Sequence, residues 1–249
     1  MSLSTTIPMA FRCAAVAALL TFLGGCATGP NANPADPLEP LNRVVFTFND
    51  NLDRTIIRPV AIAYDAITPT PVQTGVRNFF GNLSDVVSIF NNLLQFKPQE
   101  TVETFMRVSV NTVFGFGGLL DIGTEMGLSK NPQNFGQTLG VWGFGAGPYL
   151  VVPLLGPSSV RSTVGRLLEA KVDILNNAKH VPTRNAVTVF RIVDKRAELL
   201  GITDALDAAA LDRYSFSREL YLQRRANSIG TGSKEKEERF DLPEPDAKK

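Results

Sequence analysis

The chain has 249 residues, room for one large domain or two small ones, and carries Lys+Arg 25 against Asp+Glu 24. That balance argues against a nucleic-acid binder, because no basic excess exists to neutralise phosphates. One histidine, His180, and two cysteines leave little for metal or nucleophile chemistry. Apolar residues at 44% suffice for a core, and a mean hydropathy of +0.03 is high for a soluble protein.

Residues 1–25 read as a leader rather than as part of the fold. One cation, Arg12, precedes the apolar run Cys13–Leu23, which is shorter than the roughly 20 residues a spanning helix needs but suits a signal-peptide core. It ends in Leu23-Gly24-Gly25-Cys26. Small residues before a cysteine form the pattern of a bacterial lipobox, in which the cysteine is acylated and becomes the mature N-terminus. The alternative is an ordinary secretory signal that contains a cysteine. On the lipobox reading Cys13 is removed and Cys26 is blocked, so no intrachain disulfide forms although the compartment permits one. The acyl chains would anchor the protein at about 0.8 kcal/mol per buried methylene. The residue after Cys26 is Ala27 and not Asp, so the usual inner-membrane retention signal is missing and the periplasmic face of the outer membrane is the expected place.

Residues 26–37, rich in Pro, Asn and Gly, read as a flexible tether. From Leu38 the pattern turns helical: Leu41, Val44, Val45, Phe48 and Leu52 share one face. A second apolar stretch, 56–67, starts or kinks at Pro59. The longest amphipathic pattern covers 72–96, about 37 Å of helix. Phe79, Phe80, Leu83, Val87, Phe90 and Leu94 lie on its apolar stripe, opposite a face that is mostly amide. Two readings stand open: a long core helix, or a helix lying in lipid, although interfacial helices usually carry more Lys and Arg on the polar face.

Residues 98–114 open with Pro98 and acidic residues, a good helix start. Two glycine- and aromatic-rich segments follow, one around Phe114, Gly115, Phe116 and Gly118, the other around Trp142, Gly143, Gly145 and Gly147. Neither is a phosphate cradle, since no Lys-Ser/Thr follows; irregular, bendable backbone is the better reading. Tyr149 to Pro157 is a strand or an extended segment. Helices are expected from Ser158 to about Asn177 and over 183–200 and 203–228. The charged residues from 229 to 249 read as disordered. No apolar stretch of the mature chain reaches the length of a spanning helix.

No catalytic set emerges. Gly156-Pro157-Ser158-Ser159-Val160 lacks the second glycine of a nucleophile elbow. His180, before Val181-Pro182, reads as a solvated linker histidine, and neither a cofactor nor a metal site is expected.

Asp36-Pro37-Leu38-Glu39-Pro40-Leu41-Asn42-Arg43, after a lipobox, resembles the opening of the MlaA/VacJ family of outer-membrane lipoproteins. The resemblance continues through Phe48-Asn49, Arg58-Pro59-Val60-Ala61, Asn91-Leu93-Leu94-Gln95, Asn111-Thr112, Phe135-Gly136-Gln137-Thr138-Leu139-Gly140 and Pro153 to Ser158. It spans roughly Asp36 to Arg225. Two departures are Pro40, where the family usually has Gly, and Ser162 after Arg161, where it often has Asp. The resemblance implies an all-α, ring-like lipoprotein of amphipathic helices, embedded in the inner leaflet of the outer membrane beside a porin trimer. Its amphipathic channel would pass misplaced phospholipids from the outer leaflet to a soluble periplasmic phospholipid carrier, maintaining lipid asymmetry. Cys26 would carry the lipid anchor. The 72–96 helix would belong to the membrane-lying ring, and segments 114–120 and 140–149 to a bendable channel region. A lipoprotein that scaffolds porins without moving lipid is the alternative.

Overall fold

A computed structural model describes residues 33, 36–173 and 180–230. The leader, Cys26 and most of the tether fall outside it, as does the charged tail from 231. Helix α1 (Glu39–Leu52) opens with Glu39 in its first turn and Pro40 where a missing N–H costs nothing. It passes through a π-helical turn, Asp53–Ile57, into α2 (Arg58–Ile67). Pro59 thus sits near the start of α2, as its chemistry demands. Two long helices follow, α3 (Thr70–Leu94) and α4 (Pro98–Val113), each with proline in its first turn. They run antiparallel: Asn82 Nδ2 donates to Thr112 Oγ1 at 3.1 Å and Asn92 Nδ2 to Thr104 Oγ1 at 3.4 Å.

Short helices α5 (Ile122–Glu125) and α6 (Phe135–Val141) come next, the latter started by a capping box of Asn134 and Gln137. Strands β1 (Tyr149–Val152) and β2 (Gly156–Ser159) then form an antiparallel hairpin pairing Tyr149 with Ser159 and Val152 with Gly156. Among the described residues the fold is mainly helical, as expected, with one two-stranded hairpin in the segment expected to be a strand or extended. The hairpin shortens the helix expected from Ser158 to α7 (Val160–Val172), which Ser159 caps. Helix α8 (Val181–Glu198) is followed by α9 (Leu200–Ala209) and α10 (Arg213–Gly230). The single helix expected over 203–228 is broken because Asp212 caps α10: its carboxylate accepts from Tyr214 N at 3.1 Å and Ser215 Oγ at 2.7 Å.

Asp36 was expected in the tether, yet it belongs to the fold. It is buried, and its carboxylate accepts from Asn42 Nδ2 at 2.8 Å, from the Tyr214 hydroxyl, and from Arg218 Nη1 at 3.4 Å. The start of the fold is thereby clamped to α10. Helix α1 also completes the hairpin edge. Asn42 donates to Tyr149 O and accepts from Val151 N, while Asn49 donates to Val152 O and accepts from Leu154 N, all at 2.8–3.1 Å. Seven helical residues rise about 10.5 Å and three strand residues about 10 Å, so the two amides meet the strand in register. A small aromatic core of Tyr149, Val151 and Tyr214 lies beneath, flanked by Phe46 and Tyr221.

Elsewhere the polarity is reversed. Along α3, its C-terminal cap and α4 the buried side chains include Asn82, Asp85, Ser88, Asn91, Asn92, Gln95, Thr104, Arg107 and Asn111 and, of the large apolar side chains, Phe80, while Phe90, Leu93, Val102, Phe105 and Met106 are exposed. The amide face of α3 points inward, while Phe79, Phe90, Leu93 and Leu94 of its apolar residues point outward. In water this ordering wastes the main driving force of folding. In hydrocarbon it is the expected one, because buried polar groups then satisfy one another and apolar side chains meet lipid. Among the described residues no helix is long and apolar enough to cross a membrane.

Candidate functional site

An open cavity of about 1030 Å³ lies among the helices, at the upper end of the range for ligand sites. Its wall is drawn from distant parts of the chain. Helix α3 gives Leu83, Ser84, Val87 and Ser88; the loop before α6 gives Gln133 and Asn134; the hairpin gives Val152 and Leu155. Arg166, Leu167, Glu169 and Asp173 come from α7 and its end, Arg191 from α8 and Arg224 from α10. Apolar side chains from the first and third groups thus face guanidinium and carboxylate groups. A second cavity of about 530 Å³ lies between α3 and α8, with Arg77, Phe80, Lys130, Asp194 and Lys195 in its wall. Ser84 and Arg191 belong to both.

The charges of these cavities are held in place. Arg191 Nη2 donates to Ser84 Oγ at 2.8 Å, its Nη1 lies 3.6 Å from Asp173, and the guanidinium sits 5.7 Å from the Phe80 ring centre. The Glu169 carboxylate accepts from Phe135 N and from Asn91 Nδ2. Burial pushes its pKa up, outweighing those hydrogen bonds and the Arg166 charge. Asp194 takes the Tyr64 hydroxyl at 3.0 Å and is also raised by burial. Burial and Asp194 together push Tyr64 up to about 12.

The residues singled out from sequence divide between wall and surface. On α3, Leu83 and Val87 line the first cavity and Phe80 the smaller one. Phe79, Phe90 and Leu94 do face outward. None of Phe114, Gly115, Phe116, Gly118, Trp142, Gly143, Gly145 and Gly147 stands in the wall of either cavity. Phe114, Phe116 and Trp142 are exposed, and Trp142 Nε1 donates to Leu94 O at 3.0 Å, tying its loop to the end of α3.

The glycines differ in kind. A Cβ at Gly115 would come within 2.3 Å of Leu120 O and 2.4 Å of Asn111 O, so close backbone approach fixes that position. Gly143 has φ +89 and open space around it, whereas Gly145 has open space and no left-handed backbone.

Sequence reasoning passed over the residues that organise the interior. Arg107, 1% exposed, grips the Asp121 carboxylate at 2.8 and 3.0 Å and reaches Thr124 Oγ1 at 3.1 Å and Leu128 O at 2.6 Å. Asn111 Nδ2 joins the same carboxylate at 3.1 Å, and Asn111 Oδ1 accepts from Gly123 N at 2.8 Å. Burial raises the Asp121 pKa, but Thr124, Asn111 and the Arg107 charge prevail and hold it below the usual carboxylate range. This network fastens the loop 114–128 to α4. Arg107 and Arg191 carried no visible motif; a mid-helix cation on a mostly apolar segment was the available signal.

The residues tested for enzyme chemistry have structural partners. Ser158 Oγ lies 2.9 Å from Thr163 Oγ1, and Ser159 caps α7. His180, expected in a solvated linker, caps α8 by accepting from Thr183 N. Among the described residues no group of His, Cys, Asp and Glu could hold a metal ion.

Known proteins share this arrangement. A family model described as MlaA lipoprotein matches residues 34–228. The intermembrane phospholipid transport system lipoprotein MlaA of Escherichia coli (strain K12) is 35% identical over 223 residues, covering 87% of this chain and 88% of its own length. Its counterpart in Haemophilus influenzae is 31% identical over 220 residues, 84% and 87% of the two chains. A solved structure reported under the structural basis for maintenance of bacterial outer membrane lipid asymmetry superposes with a TM-score of 0.69 at 34% identity, over 78% of this chain and 98% of that one. With its polar interior, its exposed apolar helix faces and this match over most of its length, the chain belongs to the MlaA lipoprotein family.

Proposed function

We propose that this protein is the outer-membrane lipoprotein of an intermembrane phospholipid transport system. It takes phospholipid misplaced in the outer leaflet and passes it through the cavity between α3, α7 and α8 to a soluble periplasmic phospholipid carrier, so lipid asymmetry is maintained. The helices form a ring lying in the inner leaflet beside a porin trimer, with Cys26 as the acyl anchor. No bond of the lipid is broken, and the protein is not an enzyme. The observation that carries this reading is the reversed polarity: amides and charges inside, apolar side chains outside, around a cavity that is itself part apolar and part charged. Such a wall suits a ligand with a charged head and hydrocarbon tails.

Segments 114–120 and 140–149 take the role of bendable rims. Gly143, with left-handed backbone, and Gly145, with open space, are the pivots, while Gly115 and Gly118 fix the loop base against α4 and α3.

The test is surface-exposed phospholipid in a deletion strain complemented with the wild type or with Cys26→Ala. Exposure should rise on deletion, fall with the wild type and stay high with Cys26→Ala. Unchanged exposure on deletion would favour a porin scaffold that moves no lipid.

A further inference from the structure

The two cavities share two side chains. Arg191 and Ser84 are the residues shared by both walls, and the 2.8 Å bond between them joins α8 to α3 at that boundary. The guanidinium is only partly satisfied there. Its second nitrogen stands 3.6 Å from Asp173, longer than a hydrogen bond, and its face lies against Phe80. The surroundings favour an anion. Arg166 and Arg224 line the larger cavity beside it. Arg224 makes no salt bridge among the described residues, and Arg166 reaches only Leu155 O at 3.5 Å. On the far side Lys130, Arg77 and Lys195 line the smaller cavity with Asp194 and Glu198, of which Glu198 is paired with Lys195 and Asp194 takes the Tyr64 hydroxyl. The acids in the larger wall are Asp173, beside Arg191, and Glu169, already engaged by Phe135 N and Asn91, against the three arginines. A planar guanidinium is suited to bidentate binding of a phosphodiester, and Leu83, Val87, Leu155 and Leu167 stand close enough to take acyl chains.

We infer that Arg191 is the residue that binds the phosphodiester of a glycerophospholipid, and that its bond to Ser84 is a latch the headgroup displaces when it passes from one cavity to the other. This inference rests on the phospholipid-transport reading and adds the headgroup site to it. The alternative source of the same chemistry is free phosphate, and the test separates the two.

The experiment uses full-length acylated protein in detergent, with pyrene-acyl phosphatidylglycerol, phosphatidylethanolamine and diacylglycerol as probes. Wild type should bind both phospholipids more tightly than diacylglycerol. Arg191→Gln should weaken both phospholipids about ten-fold or more, the scale of one charge-assisted hydrogen bond, and leave diacylglycerol unchanged; Arg191→Lys should restore part of the loss. Ser84→Ala, which frees the guanidinium without changing its charge, should bind phospholipid at least as tightly as wild type. Inorganic phosphate should compete weakly. Equal phospholipid binding by wild type and Arg191→Gln would overturn the inference alone, as would a loss in Ser84→Ala equal to that in Arg191→Gln, which would make the bond a strut. Displacement of lipid by inorganic phosphate at its own binding concentration would reassign the site to a free anion. A wild type that binds no phospholipid at all would overturn the transport reading as well.

Discussion

Replacing Arg107 by Met tests whether the polar interior is what holds this fold together. The substitution keeps most of the aliphatic stem but removes the fork. It takes away two bonds to the Asp121 carboxylate, one to Thr124 Oγ1 and one to Leu128 O. Asp121 keeps Thr124 and Asn111 as donors but loses its counter-charge, and the Leu128 carbonyl loses a partner. Removing one member of a fully buried ion pair costs about 3–5 kcal/mol; with the Asp121 side chain 28% exposed, the loss falls toward about 2–3 kcal/mol, still a large part of the roughly 5–15 kcal/mol total stability of a domain. The chain has a single tryptophan, Trp142, so urea unfolding in micelles can be followed by its fluorescence. The midpoint should fall sharply for Arg107→Met. In Arg107→Met with Asp121→Leu part of the loss should return, because the unpaired charge is gone. A loss below about 1 kcal/mol for the single variant would refute the reasoning, since exposed ion pairs already reach that value.

Other consequences are as direct. Phe90→Ser and Leu93→Ser on the exposed face should leave the fold intact but reduce vesicle flotation of an unacylated Cys26→Ala protein. At about 1 kcal/mol for each partly exposed side chain, the pair should lower partitioning roughly thirty-fold. Gly115→Ala should destabilise by about 2 kcal/mol or more by chemical denaturation, because its Cβ meets two carbonyl oxygens, while Gly145→Ala should be neutral. Acid should unfold the protein through Asp121 and Asp212. Asp212, bonded to Arg43 and Ser215, is lowered to about 2, and Asp121 is lowered as well. Carboxylates depressed in the folded state stabilise it fully above their unfolded pKa near 4, and lose that contribution as pH falls toward their folded values. Asp85, Glu169 and Asp194, raised by burial, act in the opposite sense but only above the unfolded carboxyl pKa, so a denaturation midpoint flat from about pH 4 down to pH 2 would contradict this.

The positions of most helices were legible because their ends are written in the chain. Pro40, Pro59, Pro71 and Pro98 all stand in first turns, and Gly201 falls close to the α8–α9 junction. The direction of the faces was not legible. A periodic stripe says that a helix has two unlike faces, not which of them is inside. On α3 the decision rests on Asn82, Asn92 and Gln95, whose partners Thr112, Thr104 and Thr138 lie 12 to 43 residues away. The glycines drew attention at the rims while the cavity wall went unread. Its charged members, Arg166, Glu169, Asp173, Arg191 and Arg224, come from α7 and its end, α8 and α10 and have no common spacing.

The Asp36 clamp links the anchor to the cavity by arithmetic alone. Ten residues from Cys26 to Asp36 span at most about 35 Å when fully extended, and Asp36 is buried against Tyr214 and Arg218 of α10. The same helix supplies Arg224 to the large cavity, six residues and about 9 Å beyond Arg218. The acyl anchor proposed at Cys26 would therefore be held within a bounded distance of the cavity wall, whatever path the intervening residues take. Lengthening residues 27–35 with a Gly/Ser insert should leave folding unchanged and weaken only this constraint. Asp36→Asn removes the charge facing Arg218 and should lower stability as well. If the insert alone raises surface phospholipid as far as Cys26→Ala does, short tethering matters and not acylation only; if complementation stays complete, the clamp serves the fold and the tether length is free.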